Sequence, residues 1–260
     1  MSTDKTPNFR GHRANFKTSR RGLFAAAAVF AAMVSTRKAH AFARPPWERP
    51  RGGGAQCLVR GTHVLTPRGE IKVEELTIGD LVNTIDGTAK PIKWIGRRSY
   101  GHVSMEMLPI KIARSALGHL IPRTDLYVSP LHALYIDGIL VPARNLVNGR
   151  SITHCSSVDF DTVDYFHVEL EAHDVIFTEG APTETLLVGC RRAFDNWPED
   201  AAGCVGDAQS MQYAPRLPAN SSAAFCSRLR SAVSPLIDIR QPGDGIWERL
   251  AERAETQIAA

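Results

Sequence analysis

Cys57 opens the segment Cys57-Leu58-Val59-Arg60-Gly61-Thr62-His63-Val64-Leu65-Thr66-Pro67-Arg68-Gly69, directly after Arg51-Gly52-Gly53-Gly54-Ala55-Gln56. A thiol at the first residue of a folded unit sits beside the peptide bond that precedes it. Attack of its Sγ on the Gln56 carbonyl would convert that amide into a thioester. A free thiol titrates near about 8.5, so only a few per cent is thiolate at neutral pH. The amide nitrogen is also a poor leaving group, so the reaction needs a neighbouring acid/base. His132 is the first candidate. Neutral, it can take the thiol proton; protonated, it can hand a proton to the departing nitrogen. Ser129 lies three residues earlier, where its hydroxyl could polarise the Gln56 carbonyl or hold His132. His167 and His173 are further acid/base candidates, with Asp174 placed to orient either or to cap a turn. A self-cleavage half-life of about an hour corresponds to a barrier of roughly 22 kcal/mol, low enough for orientation and one good acid/base to suffice. The plain alternative for each residue is packing: a small buried cysteine and satisfied core histidines.

The elements that must position these residues read as short strands between turn signals. Val64–Thr66 and Ile71–Val73 flank Pro67-Arg68-Gly69-Glu70 as a hairpin, and Leu81–Ile85 leads into the turn dipeptide Asp86-Gly87. Pro91–Ile95, Leu108–Ala113, Leu126–Val128 and Ala133–Ile136 follow. Asp137-Gly138 then joins Ile136 to Ile139–Val141 as a two-residue hairpin. Val163–Leu170, Val175–Thr178 and Glu184–Val188 complete the run. Helical periodicity is absent from 57 to 188, so the expected fold class is all-β.

Three blocks of this region resemble the Hint domains, the autoprocessing modules shared by Hedgehog proteins and inteins. Cys57, Gly61-Thr62, Val64, Thr66, Gly69, Val73-Glu74-Glu75-Leu76, Gly79-Asp80 and Asp86-Gly87 resemble their first block. Leu126 to Ile136 is similar to their Thr-x-x-His block, with Ser129 in the threonine place and His132 as the histidine. Tyr165 to Gly180 is similar to their last long strand pair. The resemblance covers about 57 to 188 and is nearest to bacterial Hint domains. It implies a horseshoe-like β fold, thioester formation at Gln56-Cys57, and the roles given above for Ser129 and His132. His167 stands where many inteins carry an aspartate, and a histidine can do similar acid/base work. Inteins end the domain with His-Asn and a following nucleophile; the corresponding place here reads Ala181-Pro182-Thr183-Glu184-Thr185. With no asparagine to cyclise, cleavage by an external nucleophile is expected and splicing is not. No sterol-binding element is identifiable. The rival reading is a non-catalytic exported β module that binds or supports a partner.

The flanks set the context. Residues 1–41 read as a signal peptide: Arg20-Arg21 with Leu23 and Phe24 resembles the bacterial twin-arginine signal, the apolar run Leu23–Val34 is short for a span, and Ala39-His40-Ala41 suggests cleavage after Ala41. The expected location is periplasmic or extracellular. The expected partners are the twin-arginine export machinery and the chain's own N-terminal flanking segment as substrate, with the membrane met only through the signal. Of the formal charge, +7 sits in the first 41 residues against +4 for the whole chain, leaving −3 on the rest. That gives no reason to expect nucleic-acid binding. Residues 42–56 are a Pro/Gly-rich linker and 189–260 an extension with one or two helices: Ser222–Val233, and a stripe at Ile246, Trp247, Leu250, Ala254 and Ile258 that packs on the domain or touches a membrane. The five cysteines form no zinc-ligand spacing, and no metal or cofactor is expected.

Overall fold

A computed structural model describes residues 56–187, 191, 194–197, 214–217 and 243–258. All of them fall in one compact unit, Arg51–Ala260. The strands are β1 (Leu58–Val59), β2 (His63–Thr66), β3 (Gly69–Lys72), β4 (Leu81–Asn83), β5 (Ala89–Pro91), β6 (Trp94–Tyr100) and β7 (Ile110–Ile112). They continue as β8 (Leu126–Val128), β9 (Ala133–Ile136), β10 (Ile139–Pro142), β11 (Ile152–His154), β12 (Val163–Glu169), β13 (Val175–Thr178) and β14 (Ala181–Glu184). Two α-helices are described, α1 (Ala143–Leu146) and α2 (Asp244–Ile258), with a single 3-10 turn at Val73–Glu75.

The strands form two six-stranded sheets and one hairpin, and the domain is mostly β as expected. One sheet runs β11-β7-β8-β1-β12-β6, the other β10-β9-β14-β13-β2-β3, and β4 pairs with β5. Apolar side chains from both sheets, among them Leu58, Val64, Ile110, Val128, Leu134, Val141, Phe166 and Ile176, meet in one core. The turn chemistry sets the register. Asp137 and Gly138 both take positive φ, 50° and 83°, and align Ile136 with Ile139. Asp86 fixes its turn by accepting from the Thr88 amide at 2.9 Å and from the Thr84 and Thr88 hydroxyls at 2.5 and 2.7 Å.

Several boundaries differ from the sequence reading. The expected strand Pro91–Ile95 is split: β5 ends at Pro91 and β6 begins at Trp94 in another sheet. Ile92 between them turns to exchange backbone bonds with Gly79 and Asp80. Strand β6 continues through Arg97-Arg98-Ser99, which lacks apolar alternation. It is held by seven residue pairs with β12 and by Arg97 lying over the Phe166 ring at 5.8 Å. The last expected strand, Glu184–Val188, is found as Ala181–Glu184, because Glu179 and Gly180 (φ 48° and 78°) turn the chain back directly onto β13. Strand β11 and the single turn of α1 carry too few residues to show a period.

Parts of the extension pack on this domain. Helix α2 buries Ile246, Leu250 and Ala254 and sends its Trp247 indole N–H to the Asn145 carbonyl. Burial of Ile246 and Leu250 contributes about 1.5–3 kcal/mol each. The stripe therefore packs on protein; the expected helix Ser222–Val233 lies outside the described residues. Phe194 lies on β6, with Asp195 and Asn196 bonded to the backbone of Ile95, Arg97 and Ser99. A Cβ at Gly96 would stand 2.5 Å from the Phe194 ring. Gly96→Ala should therefore destabilise the protein by about 1–3 kcal/mol in urea denaturation, with part of that recovered when Phe194 is shortened to Leu.

Candidate functional site

Strand β1 is two residues long, yet it lies in the middle of its sheet between β8 and β12. It pairs Leu58 with Val128 on one side and with Phe166 on the other. This places the residue before it, Cys57, between the end of β8 and the middle of β12. The Cys57 amide N–H donates to Ser129 Oγ at 2.8 Å, and the Ser129 amide donates back to the Cys57 carbonyl at 2.9 Å. Cys57 Sγ is a free thiol, fully buried in an apolar cluster with Val59, Val163, Tyr165, Leu186 and Phe194. Burial pushes its pKa well above the ordinary value, with Arg98 opposing weakly. Gln56, one residue earlier, is only half-buried, so the chain passes out of the interior at the Gln56–Cys57 bond.

Ser129-Pro130-Leu131-His132 is a tight turn between β8 and β9. The His132 amide bonds the Ser129 carbonyl at 3.1 Å. The first amides of α1, Ala143 and Arg144, cap the His132 and Pro130 carbonyls at 2.9 and 3.0 Å. The His132 ring is buried and faces the His167 ring from β12, with centroids 5.1 Å apart. None of the four nitrogens of these two rings has a hydrogen-bond partner among the described residues. Burial lowers the His132 pKa to about 4; Glu184 raises it, Arg216 and His173 lower it, and the nearby Gln56 backbone raises it without reaching hydrogen-bond geometry. Burial, and then the His132 ring, hold His167 well below the usual histidine range. Both rings are therefore neutral at neutral pH.

The site thus brings Gln56, Cys57, Ser129, His132 and His167 together. His173 stands one step away, with Nε2 3.7 Å from Glu184 Oε2. Asp174 is turned elsewhere: it binds Lys90 Nζ at 2.6 Å and caps its own turn through the Val175 amide at 2.7 Å. The Ser129 hydroxyl holds the N–H of the Gln56–Cys57 bond, whereas the sequence had suggested the carbonyl side or His132.

Two residues escaped sequence reading. Glu184 is 2% exposed; its Oε1 accepts from the Ala133 amide at 2.7 Å and its Oε2 from Arg216 Nη1. Burial pushes the Glu184 carboxyl up, but His173, His132 and Arg216 together outweigh it and hold the pKa down to about 2. The one available signal was an acidic residue inside an apolar run, Thr183-Glu184-Thr185-Leu186-Leu187. Arg216 had none, since it lies in an irregular stretch.

The site thus sits in an antiparallel β domain that opens on a buried cysteine beside a Ser-x-x-His turn. A model of the Hint domain matches residues 56–190, just over half of the sequence, and the chain belongs to the Hint domain family. Solved structures similar to it include the MchDnaB-1 intein, with 18% identity, 51% of this chain and 100% of that chain covered, and a TM-score of 0.37. The gp41-1 intein is 14% identical over 50% of this chain and 98% of that chain, with a TM-score of 0.38. The bacterial intein-like domain from Clostridium thermocellum is 14% identical over 51% and 99%, with a TM-score of 0.36. No curated protein matches the sequence.

The buried neutral rings make stability depend on pH. An unfolded His132 takes up its proton near 6.5, and the folded one near 4. In that window the unfolded chain binds more protons, so stability falls as pH drops from about 6.5 to about 4. For His132 alone the loss is on the order of 3 kcal/mol. Urea midpoints measured across this range should decline, and His132→Gln should remove its share of the slope.

Proposed function

We propose that this chain is a self-cleaving Hint domain that forms a thioester at Gln56–Cys57 and passes it to an external nucleophile without splicing. The observation that carries the reading is the grip on one peptide bond. Ser129 Oγ holds its N–H, the Cys57 thiol lies on its C-terminal side, and the neutral His132 ring is close enough to its Gln56 side to be affected by that backbone.

The chemistry follows from these states. His132, neutral above about pH 4, accepts the proton of a thiol that burial keeps protonated. Sγ attacks the Gln56 carbonyl carbon to give a tetrahedral adduct. The C–N bond breaks as the imidazolium returns the same proton to the Cys57 nitrogen, leaving a thioester and a free amine. Ser129 Oγ then accepts from that amine, and the contact strengthens when the amine is charged. Protonation of His132 keeps His167 neutral, because two buried imidazoles 5.1 Å apart disfavour two positive charges. Water or a thiol attacks the thioester at the half-buried Gln56, releasing the segment that ends there and restoring the Cys57 thiol. The last ten residues of the family match, 181–190, contain no asparagine, which supports stopping at cleavage.

The same proposal takes residues 1–41 as a twin-arginine export signal, with Arg20 and Arg21 as its recognition pair and cleavage after Ala41. Residues 42–56 would then be the segment released, and the periplasm or the exterior the place of action. Purified protein incubated with a small thiol should yield a fragment beginning at Cys57, read by intact mass. Cys57→Ala should abolish the fragment, and His132→Ala should slow its formation by about 10²–10⁴-fold. A chain that stays intact under thiol while folded would overturn the reading and favour a non-catalytic β module.

A further inference from the structure

We propose that Arg216, contributed from beyond the family-matched span, is a positioning residue of this site: with Glu184 it clamps the peptide groups on both sides of His132. The inference rests on the autoprocessing reading above. Its geometry is independent of it.

The His132 ring makes no hydrogen bond among the described residues, so its placement comes from its backbone and its packing. That backbone is tied at every polar group. The His132 N–H donates to the Ser129 carbonyl and the Ala143 N–H donates to the His132 carbonyl, at 3.1 and 2.9 Å. The two remaining groups, the Ala133 N–H and the Leu131 carbonyl, go to the ion pair: Glu184 Oε1 accepts the first at 2.7 Å, and Arg216 Nη2 donates to the second. Arg216 Nη1 closes the ring onto Glu184 Oε2. A planar guanidinium can span a carboxylate and a carbonyl in this way; an ammonium is a single point of charge.

Arg216 is delivered by a short strand-like addition. Leu140 donates to the Pro215 carbonyl at 2.8 Å, and Leu217 donates back to the Leu140 carbonyl at 2.9 Å, which sets Arg216 beside Leu140 at the outer edge of β10. Strand β10 pairs through Pro142 with Ala133, the residue after His132. The charge balance points the same way. The charged and titratable groups acting on His132 are Glu184 from β14, Arg216 and His173 ahead of β13; the neutral His167 ring from β12 faces it at 5.1 Å. Arg216 offsets Glu184. Without it, the buried Glu184 carboxylate would act on His132 uncompensated and draw a proton onto it.

The test uses the full chain. Fragment formation is timed by mass for wild type, Arg216→Met, Arg216→Lys and Arg216→Met/Glu184→Gln, with circular dichroism to confirm folding. His132 ring titration is followed by NMR in a Cys57→Ala background that cannot cleave. Arg216→Met should slow cleavage at least about tenfold through misplacement of His132, and should raise the His132 pKa. Arg216→Lys should keep the low pKa but recover only part of the rate, and the double variant should bring the pKa back down. A folded Arg216→Met protein with wild-type cleavage and wild-type His132 titration would overturn the proposal. If the wild type itself does not cleave, the autoprocessing reading fails, and the titrations in the Cys57→Ala background still decide whether Arg216 acts on His132.

Discussion

Two hydrogen bonds join Cys57 to Ser129, 72 residues apart in sequence, and the rest of the site depends on them. A first residue of a domain is ordinarily a fraying chain end. Here it leads directly into a two-residue strand flanked on both sides, so the thiol is placed by β8 and β12 as well as by its own neighbours. The pairing fixes more than the cysteine. It orients the plane of the peptide bond before Cys57, because the amide N–H is half of the exchange. It also sets the start of the turn that carries His132. One serine hydroxyl thereby links the two residues on which the chemistry is argued.

The electrostatics around that link depart from a typical interior. Buried polar atoms are usually paired, and an unpaired one costs about 1–3 kcal/mol. Four ring nitrogens with no partner among the described residues, on two facing histidines, are a local weakness with respect to folding, and one that acid deepens. Such groups are expected where a reaction will use them, since a ring nitrogen whose lone pair already accepts a hydrogen bond is less free to take a proton. The counterweight is nearby. Glu184 keeps its charge despite burial because it has the Ala133 amide, Arg216 and His173 around it. The domain thus holds one satisfied polar cluster against one unsatisfied pair.

How much of this was legible in the sequence follows from the range of each signal. Turn dipeptides act over a few residues, and Asp86-Gly87 and Asp137-Gly138 were readable for that reason. Strands with apolar alternation, such as Val163–Glu169 and Ala133–Ile136, were readable as well. Strand β6 was not, because its polar residues are held by distant parts of the chain, Arg97 by the Phe166 ring and Ser99 by Asp164 and Asp195. Cys57, Ser129 and His132 were legible as candidates only through block order and spacing, which place residues on the same turn or at a domain start. The bond that Ser129 makes was not, since a hydroxyl three residues from a histidine has several partners within reach. Glu184 and Arg216 depend on a contact 32 residues apart that no local pattern encodes.

The limits of the family match and the limits of the packed structure are different. Residues 56–190 contain the cysteine, the serine and the histidines, but both sheets end in exposed backbone without the extension. Strand β6 is an edge, and Asp195 and Asn196 take up its free groups. Strand β10 is the edge of the other sheet, and Pro215 and Leu217 pair with it. Bare edges invite pairing with other chains, so covering both is a stabilising device in itself. These caps, however, each bring a side chain inward. Phe194 joins the apolar cluster around Cys57 and stands 6.4 Å from the His167 ring. Arg216 reaches Glu184 and the backbone beside His132. An edge cover needs only backbone groups; one that also delivers an aromatic ring to Cys57 and a guanidinium beside His132 makes the extension part of the site's construction.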